Sequence, residues 1–155
     1  MKKAILTLLM LAAAGASRAQ QAGQLGAGVV LGQPIGGTAK YWLTDTRAFD
    51  AGVGYGSRAT VLYADYLYHG WDLLPKPSKG KLGVYAGLGP RLETARDALF
   101  ALRTIVGADY WIEAHPIELF LEGGPTFRLA PNSNVDADIG LGIRFYLGSA
   151  TKAKT

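Results

Sequence analysis

The chain contains no cysteine, which excludes disulfides and thiolate metal sites. Past the first two dozen residues, no stretch approaches the roughly 18 consecutive apolar residues of a membrane helix. Helical periodicity of useful length is absent, and so is any composition shift that would mark a domain boundary. Strands are the elements left to do the structural work. Glycine, by contrast, is abundant, with 21 residues in 155.

Lys2 and Lys3 precede an apolar run over residues 4–16, followed by Ser17-Arg18-Ala19. A basic start, about a dozen apolar residues and a small-x-small site predict a secretory signal peptide over 1–19. Cleavage is expected after Ala19, leaving Gln20 as the new N-terminus, with Ala14-Gly15-Ala16 as a fallback site. The run is too short to span a bilayer comfortably as a retained anchor. Loss of Lys2, Lys3 and Arg18 takes 16 basic residues to 13, against 12 acidic ones. No basic stripe or tract survives, which excludes nucleic acid as a partner.

The mature chain repeats a two-faced pattern. It is clearest in Asp138-Ile139-Gly140-Leu141-Gly142-Ile143-Arg144-Phe145-Tyr146-Leu147, where apolar residues alternate with glycine, charge and tyrosine. A strand changes face at every residue, so one face is apolar and the other carries glycine and charge. Eight such strands are predicted, at about 24–32, 38–43, 49–57, 60–69, 82–93, 102–112, 117–129 and 135–147. Pro, Gly, Asn and Asp punctuate the connections between them. The connection at 70–81 is the longest, with Pro75, Pro77, Gly80 and the lysines Lys76, Lys79 and Lys81. A polar tail over 148–155 follows the last strand.

Alternation alone does not say which face is buried, and a soluble barrel would hide the apolar one. Two features favour the inverse. The polar face is dominated by glycine, and an eight-stranded barrel needs small neighbours around any long side chain inside it. Nearly all strand charges also share that parity: Lys40, Arg91, Arg103, Arg128 and Arg144 against Asp50, Asp65, Glu93, Asp109, Glu118, Glu122, Asp136 and Asp138. Arg or Lys facing lipid at the midplane would cost about 2–4 kcal/mol. The expectation is therefore an all-β, eight-stranded antiparallel up-and-down transmembrane barrel over 20–147. Its apolar face is outward, and its lumen network is built from Lys40, Asp50, Asp65, His69, Arg91, Arg103, Asp109, Glu118, Glu122, Arg128, Asp138 and Arg144. Tyr41, Tyr55, Tyr68, Tyr110, Trp111 and Phe145, near strand ends, are expected in interfacial girdles, with Trp71 also at an interface.

Gly28-Val29-Val30-Leu31-Gly32-Gln33-Pro34, Lys40-Tyr41-Trp42-Leu43, Ala64-Asp65-Tyr66-Leu67-Tyr68-His69, Ile117-Glu118-Leu119-Phe120-Leu121-Glu122 and the segment 140–147 resemble a family of small bacterial outer-membrane barrels. The resemblance covers nearly the whole mature chain, and the architecture is similar to the OmpA/OmpX type. It implies fold and outer-membrane location, with lipid as surroundings, but no settled activity. The closing segment, from Gly140 to Leu147, also resembles the signal read by the barrel-assembly machinery. Such chains typically stop at an aromatic residue, whereas this one continues for eight polar residues beyond Leu147.

No catalytic or metal constellation stands out, and no cofactor is implied. Asp65 and His69 share a face but lie about 13 Å apart along a strand at about 3.3 Å per residue, and Glu118 and Glu122 fail the same test as an acid–base pair. His115, before Pro116, reads as turn punctuation, and Asp136 with Asp138 offers far fewer ligands than calcium needs. The Gly-x-Gly repeats fall at period two inside strands, so they are not phosphate loops. The leading expectation is a non-catalytic envelope protein, structural or binding a partner through the 70–81 connection. The alternatives are a narrow pore, a lipid-modifying enzyme using His69 or His115, and a soluble periplasmic barrel around a small apolar ligand.

Overall fold

A computed structural model describes residues 22–56, 59–94 and 98–147. The expected signal peptide, Arg58, part of the 94–101 connection and the tail with Lys152 and Lys154 lie outside the described residues. Eight strands follow one another: β1 (Leu25–Gln33), β2 (Ile35–Trp42), β3 (Arg47–Gly56), β4 (Ala59–Gly70), β5 (Lys81–Thr94), β6 (Ala98–Trp111), β7 (Ile117–Ala130) and β8 (Asn134–Leu147). Each pairs antiparallel with its sequence neighbours, and β1 pairs with β8 from Leu25↔Leu147 to Gln33↔Ile139. The sheet thus closes into a cylinder with no free edge, which removes the unpaired backbone groups that lipid could not satisfy.

The strands are longer than the punctuation suggests. The connection expected at 33–36 shrinks to Pro34 between β1 and β2, because Ile35 and Gly36 pair with Tyr55 and Gly54 across the ladder. Pro34 has no N–H to give to a ladder and takes the corner. Likewise β6 starts at Ala98, before the expected 102, since Leu99 and Phe100 pair with Glu93 and Leu92. A register shift between Phe100 and Ala101 then adjusts the pairing of β6 with β7.

One end of the barrel, the corner end, carries the corner at Pro34 and the connection from Ala130 to Asn134. The other end carries both ends of the described cylinder, Leu25 and Leu147, and the long connection between Gly70 and Lys81. It is called the terminal end below.

The walls are inverted relative to a soluble barrel. Val29, Leu31, Val53, Val106, Ile139 and Leu141 are exposed on the outside, while Lys40, Asp65, Glu118 and Arg144 are fully buried. The soluble-barrel alternative, with the apolar parity lining a cavity, is not the observed arrangement.

Glycine makes this interior possible in a specific way. Four inward aromatic rings lie flat against a glycine directly opposite on the next strand: Tyr146 on Gly26, Tyr63 on Gly52, Tyr85 on Gly107 and Phe120 on Gly142. A Cβ at any of these glycines would meet the ring itself. Covering a strand glycine with a cross-strand aromatic restores packing that glycine lacks and pins the register.

Candidate functional site

The period-two turn of each strand delivers its charges to one axis, and register sorts them into two layers. The lower layer lies toward the terminal end and centres on Arg144 of β8. Its guanidinium donates to Asp50 Oδ2 at 2.6 Å, to Glu118 Oε1 at 3.3 Å and to Thr38 Oγ1 at 3.1 Å. Thr38 in turn donates to Asp50 Oδ1 at 2.8 Å. Lys40 Nζ donates to Glu118 Oε1 at 2.8 Å and lies 3.6 Å from Asp109 Oδ2. The Tyr146 hydroxyl donates to Glu118 Oε2. Phe120 lies beneath Arg144, with 3.7 Å from the guanidinium carbon to the ring centroid.

The upper layer centres on Arg103 of β6, which takes three carboxylates from three strands. It pairs with Asp65, donates to Glu122 Oε1 at 2.7 Å and donates to Asp138 Oδ2 at 2.9 Å. Arg91 pairs with Asp138 as well and donates to Glu93 Oε1 at 2.7 Å. The Tyr85 hydroxyl donates to Glu122 Oε2 at 2.7 Å. Ions taken out of water pay a large desolvation cost, which close pairing with satisfied hydrogen bonds offsets. Every ionic side chain in both layers has an oppositely charged partner within 4 Å, while Asp65 Oδ1, Asp109 Oδ1 and Arg91 Nε find no hydrogen bond among the described residues.

Arg128 shares the inward parity but sits at the corner-end mouth. Its side chain is 28% exposed, and it pairs with Asp136 at 2.8 Å, itself 45% exposed. It is a rim pair and takes no part in either layer.

The terminal end is closed by aromatic rings, which the sequence reading did not foresee. Trp42, Trp111 and Tyr146 are buried there. The Trp42 ring lies 4.4 Å from His69 and 6.1 Å from Trp111, centroid to centroid. Trp71, from the long connection, stacks on both Trp42 and His69 at 5.9 and 5.6 Å. Its indole N–H donates to the Asp45 carbonyl at 2.7 Å, and Lys81 Nζ lies 3.7 Å over its ring. One expectation is corrected here. Trp111 faces the lumen, not a girdle, because it shares the parity of Arg103 and Asp109. Trp71 caps the lumen at the terminal end. Tyr41, Tyr55, Tyr68 and Phe145 do face outward. The parity of Trp42 with Lys40 was the available signal for its position.

The catalytic pairings considered from sequence are kept apart. Asp65 belongs to Arg103 in the upper layer. His69 lies among the aromatic rings, its Nε2 3.7 Å from Asp109 Oδ2 and both ring nitrogens without a hydrogen-bond partner among the described residues. Glu118 and Glu122 fall in different layers. Asp138, weighed as a cation ligand, is taken up by Arg91 and Arg103, and Asp136 by Arg128.

No protein-family model matches the chain, and no curated protein matches it. Among solved structures it is similar to the N-terminal β-barrel domain of Pseudomonas aeruginosa OprF. The TM-score is 0.53 and the identity 16%, over 82% of this chain and 99% of that one. At that identity the likeness is one of fold: a closed antiparallel β-barrel.

Proposed function

We propose that the mature chain is a non-catalytic outer-membrane envelope protein whose barrel is a closed plug, not a conduit. On this reading the N-terminal signal exports it, cleavage follows Ala19, and the barrel-assembly machinery recognises it through the 140–147 segment. The observation that carries the reading is the filled lumen: two layers of paired ions and a cap of stacked rings across one end. An eight-stranded barrel has an interior just wide enough for side chains, and here those side chains are tied to one another. The apolar outer wall and the likeness to the OprF barrel domain support the membrane location. No cofactor enters the reading. The long connection at the terminal end is the surface for partner binding on this reading.

Two measurements test this. The protein in the outer-membrane fraction is expected to change gel mobility between unboiled and boiled samples, as closed barrels do. In planar bilayers it is expected to show no single-channel conductance. Steps of conductance would replace this reading with that of a narrow pore, and a soluble periplasmic species would remove the membrane location.

A further inference from the structure

The outer wall is not evenly covered. A groove of about 740 Å³ crosses it between Tyr68 on β4 and Ile139 on β8, almost entirely apolar. Two neighbouring register rows build it. One runs Tyr68↔Ala86↔Val106↔Gly123↔Ile139, the other Gly70↔Val84↔Ala108↔Leu121. Ala86, Ala108 and Gly123 form a low floor, Val84, Val106 and Leu121 flank it, and Tyr68 and Ile139 stand at its two ends. Leu73, from the long connection, folds down over Gly70 and remains 74% exposed.

The groove has a direction. Gly70 is the last residue of β4 and so lies at the terminal rim, whereas Ile139 is near the middle of β8. From β4 to β8 are four inter-strand spacings, or about 19 Å at roughly 4.8 Å each. One leaflet of hydrocarbon is about 15 Å thick, half of the roughly 30 Å core. A slot rising obliquely from rim to mid-wall over that length matches one acyl chain of one leaflet.

The rim end of the slot is basic and aromatic. Tyr110 lies two residues beyond Ala108 on the same outward parity, and its hydroxyl donates to the Lys79 carbonyl at 3.1 Å, which ties the backbone of Lys79 to the strand that carries Ala108. Lys76 is three residues beyond Leu73, about 10 Å of extended chain at most. Its partner Asp72 is 3.1 Å away with both side chains more than three-quarters exposed, an arrangement worth little in water. Tyrosine at headgroup depth and lysines just beyond it are what an anionic headgroup meets at a bilayer surface.

We propose that this groove is a binding site for an anionic glycerophospholipid, with one acyl chain along the Ala86–Ala108–Gly123 floor and the phosphate between Lys76 and Lys79. The inference rests on the membrane reading above and adds a lipid specificity to it.

The test is native mass spectrometry of the detergent-extracted protein with equimolar dioleoyl phosphatidylglycerol and dioleoyl phosphatidylethanolamine, and with lipid A as competitor. One phosphatidylglycerol is expected to survive on the wild type. Lys76→Glu combined with Lys79→Glu is expected to cut the preference for it by about tenfold or more, at about 1 kcal/mol per lysine near the surface. Ala108→Phe fills the floor and is expected to abolish retention of either phospholipid, with Ala86→Leu as a second filler. Gel mobility before and after boiling shows that each variant is folded. Equal retention of the two phospholipids, retention by a folded Ala108→Phe or Ala86→Leu, or preferential capture of lipid A would overturn the proposal. Absence of the mobility shift in the wild type would instead overturn the membrane reading beneath it.

Discussion

Arg103→Met is the most informative single perturbation of the lumen. The substitution keeps most of the side-chain volume and removes the one cation shared by Asp65, Glu122 and Asp138. The three carboxylates do not suffer equally. Asp138 keeps Arg91, and Glu122 keeps the Tyr85 hydroxyl. Asp65 keeps nothing among the described residues, since its other oxygen already lacks a hydrogen-bond partner. Breaking a buried pair by removing one partner typically costs about 3–5 kcal/mol, because a desolvated charge is left behind. Asp65 is fully buried, which puts this case inside that range. Urea unfolding from lipid vesicles, followed by gel mobility and tryptophan fluorescence, reads the loss directly. Adding Asp65→Asn removes the stranded charge and is expected to recover about 2 kcal/mol, a coupling of the size neighbouring residues show. A loss below about 1 kcal/mol, the level of a solvent-exposed pair, would refute the reasoning, and so would a double variant no more stable than the single one.

Other outcomes follow from the same geometry. Arg128→Met at the mouth is expected to cost no more than about 1 kcal/mol in the same assay, because both members of its pair are part-exposed. Val106→Arg puts a cation on the outer wall at mid-height and should cost about 2–4 kcal/mol in vesicles; near-neutrality would argue against a lipid-facing wall. Gly142→Ala drives a methyl into the Phe120 ring and is expected to cost about 1–3 kcal/mol, whereas Gly37→Ala, where a Cβ meets only the Gly28 carbonyl oxygen at an ordinary 3.9 Å, should change stability by less than about 0.5 kcal/mol. Trp71→Ala should leave the barrel folded, lose about 2 kcal/mol and make the long connection more sensitive to limited proteolysis.

The faces of the strands were legible because the strand period is rigid. Once β6 is a strand, Arg103 and Asp109 must share a side, and a charged residue has only one affordable side in lipid. The partners of those charges were not legible. Lys40 meets Glu118 across 78 residues of sequence, and Arg144 meets Asp50 across 94. Such pairs depend on the register of intervening ladders, which no local pattern encodes. The division into two layers has the same origin. Trp111 was misplaced because its position near a strand end outweighed its parity. Trp71 had no period to read, being in a connection, and its docking is decided by the rings of Trp42 and His69 beneath it. Corners were overestimated where Pro34 and the residues after Thr94 suggested longer loops than the paired backbone leaves.

Strand β8 completes the hydrogen-bond ring, and it also carries one charge for each layer: Arg144 below and Asp138 above. A chain synthesised only as far as β7 holds Lys40 alone among Asp50, Asp109 and Glu118, and Arg91 with Glu93 but without Asp138. Asp50 and Glu118 therefore wait for Arg144, and Arg91 and Arg103 for Asp138, until the final strand arrives. Mechanical closure and completion of the axial ion pairs are then one event, and a barrel that has shut along the wrong register of β8 carries its own penalty at the axis.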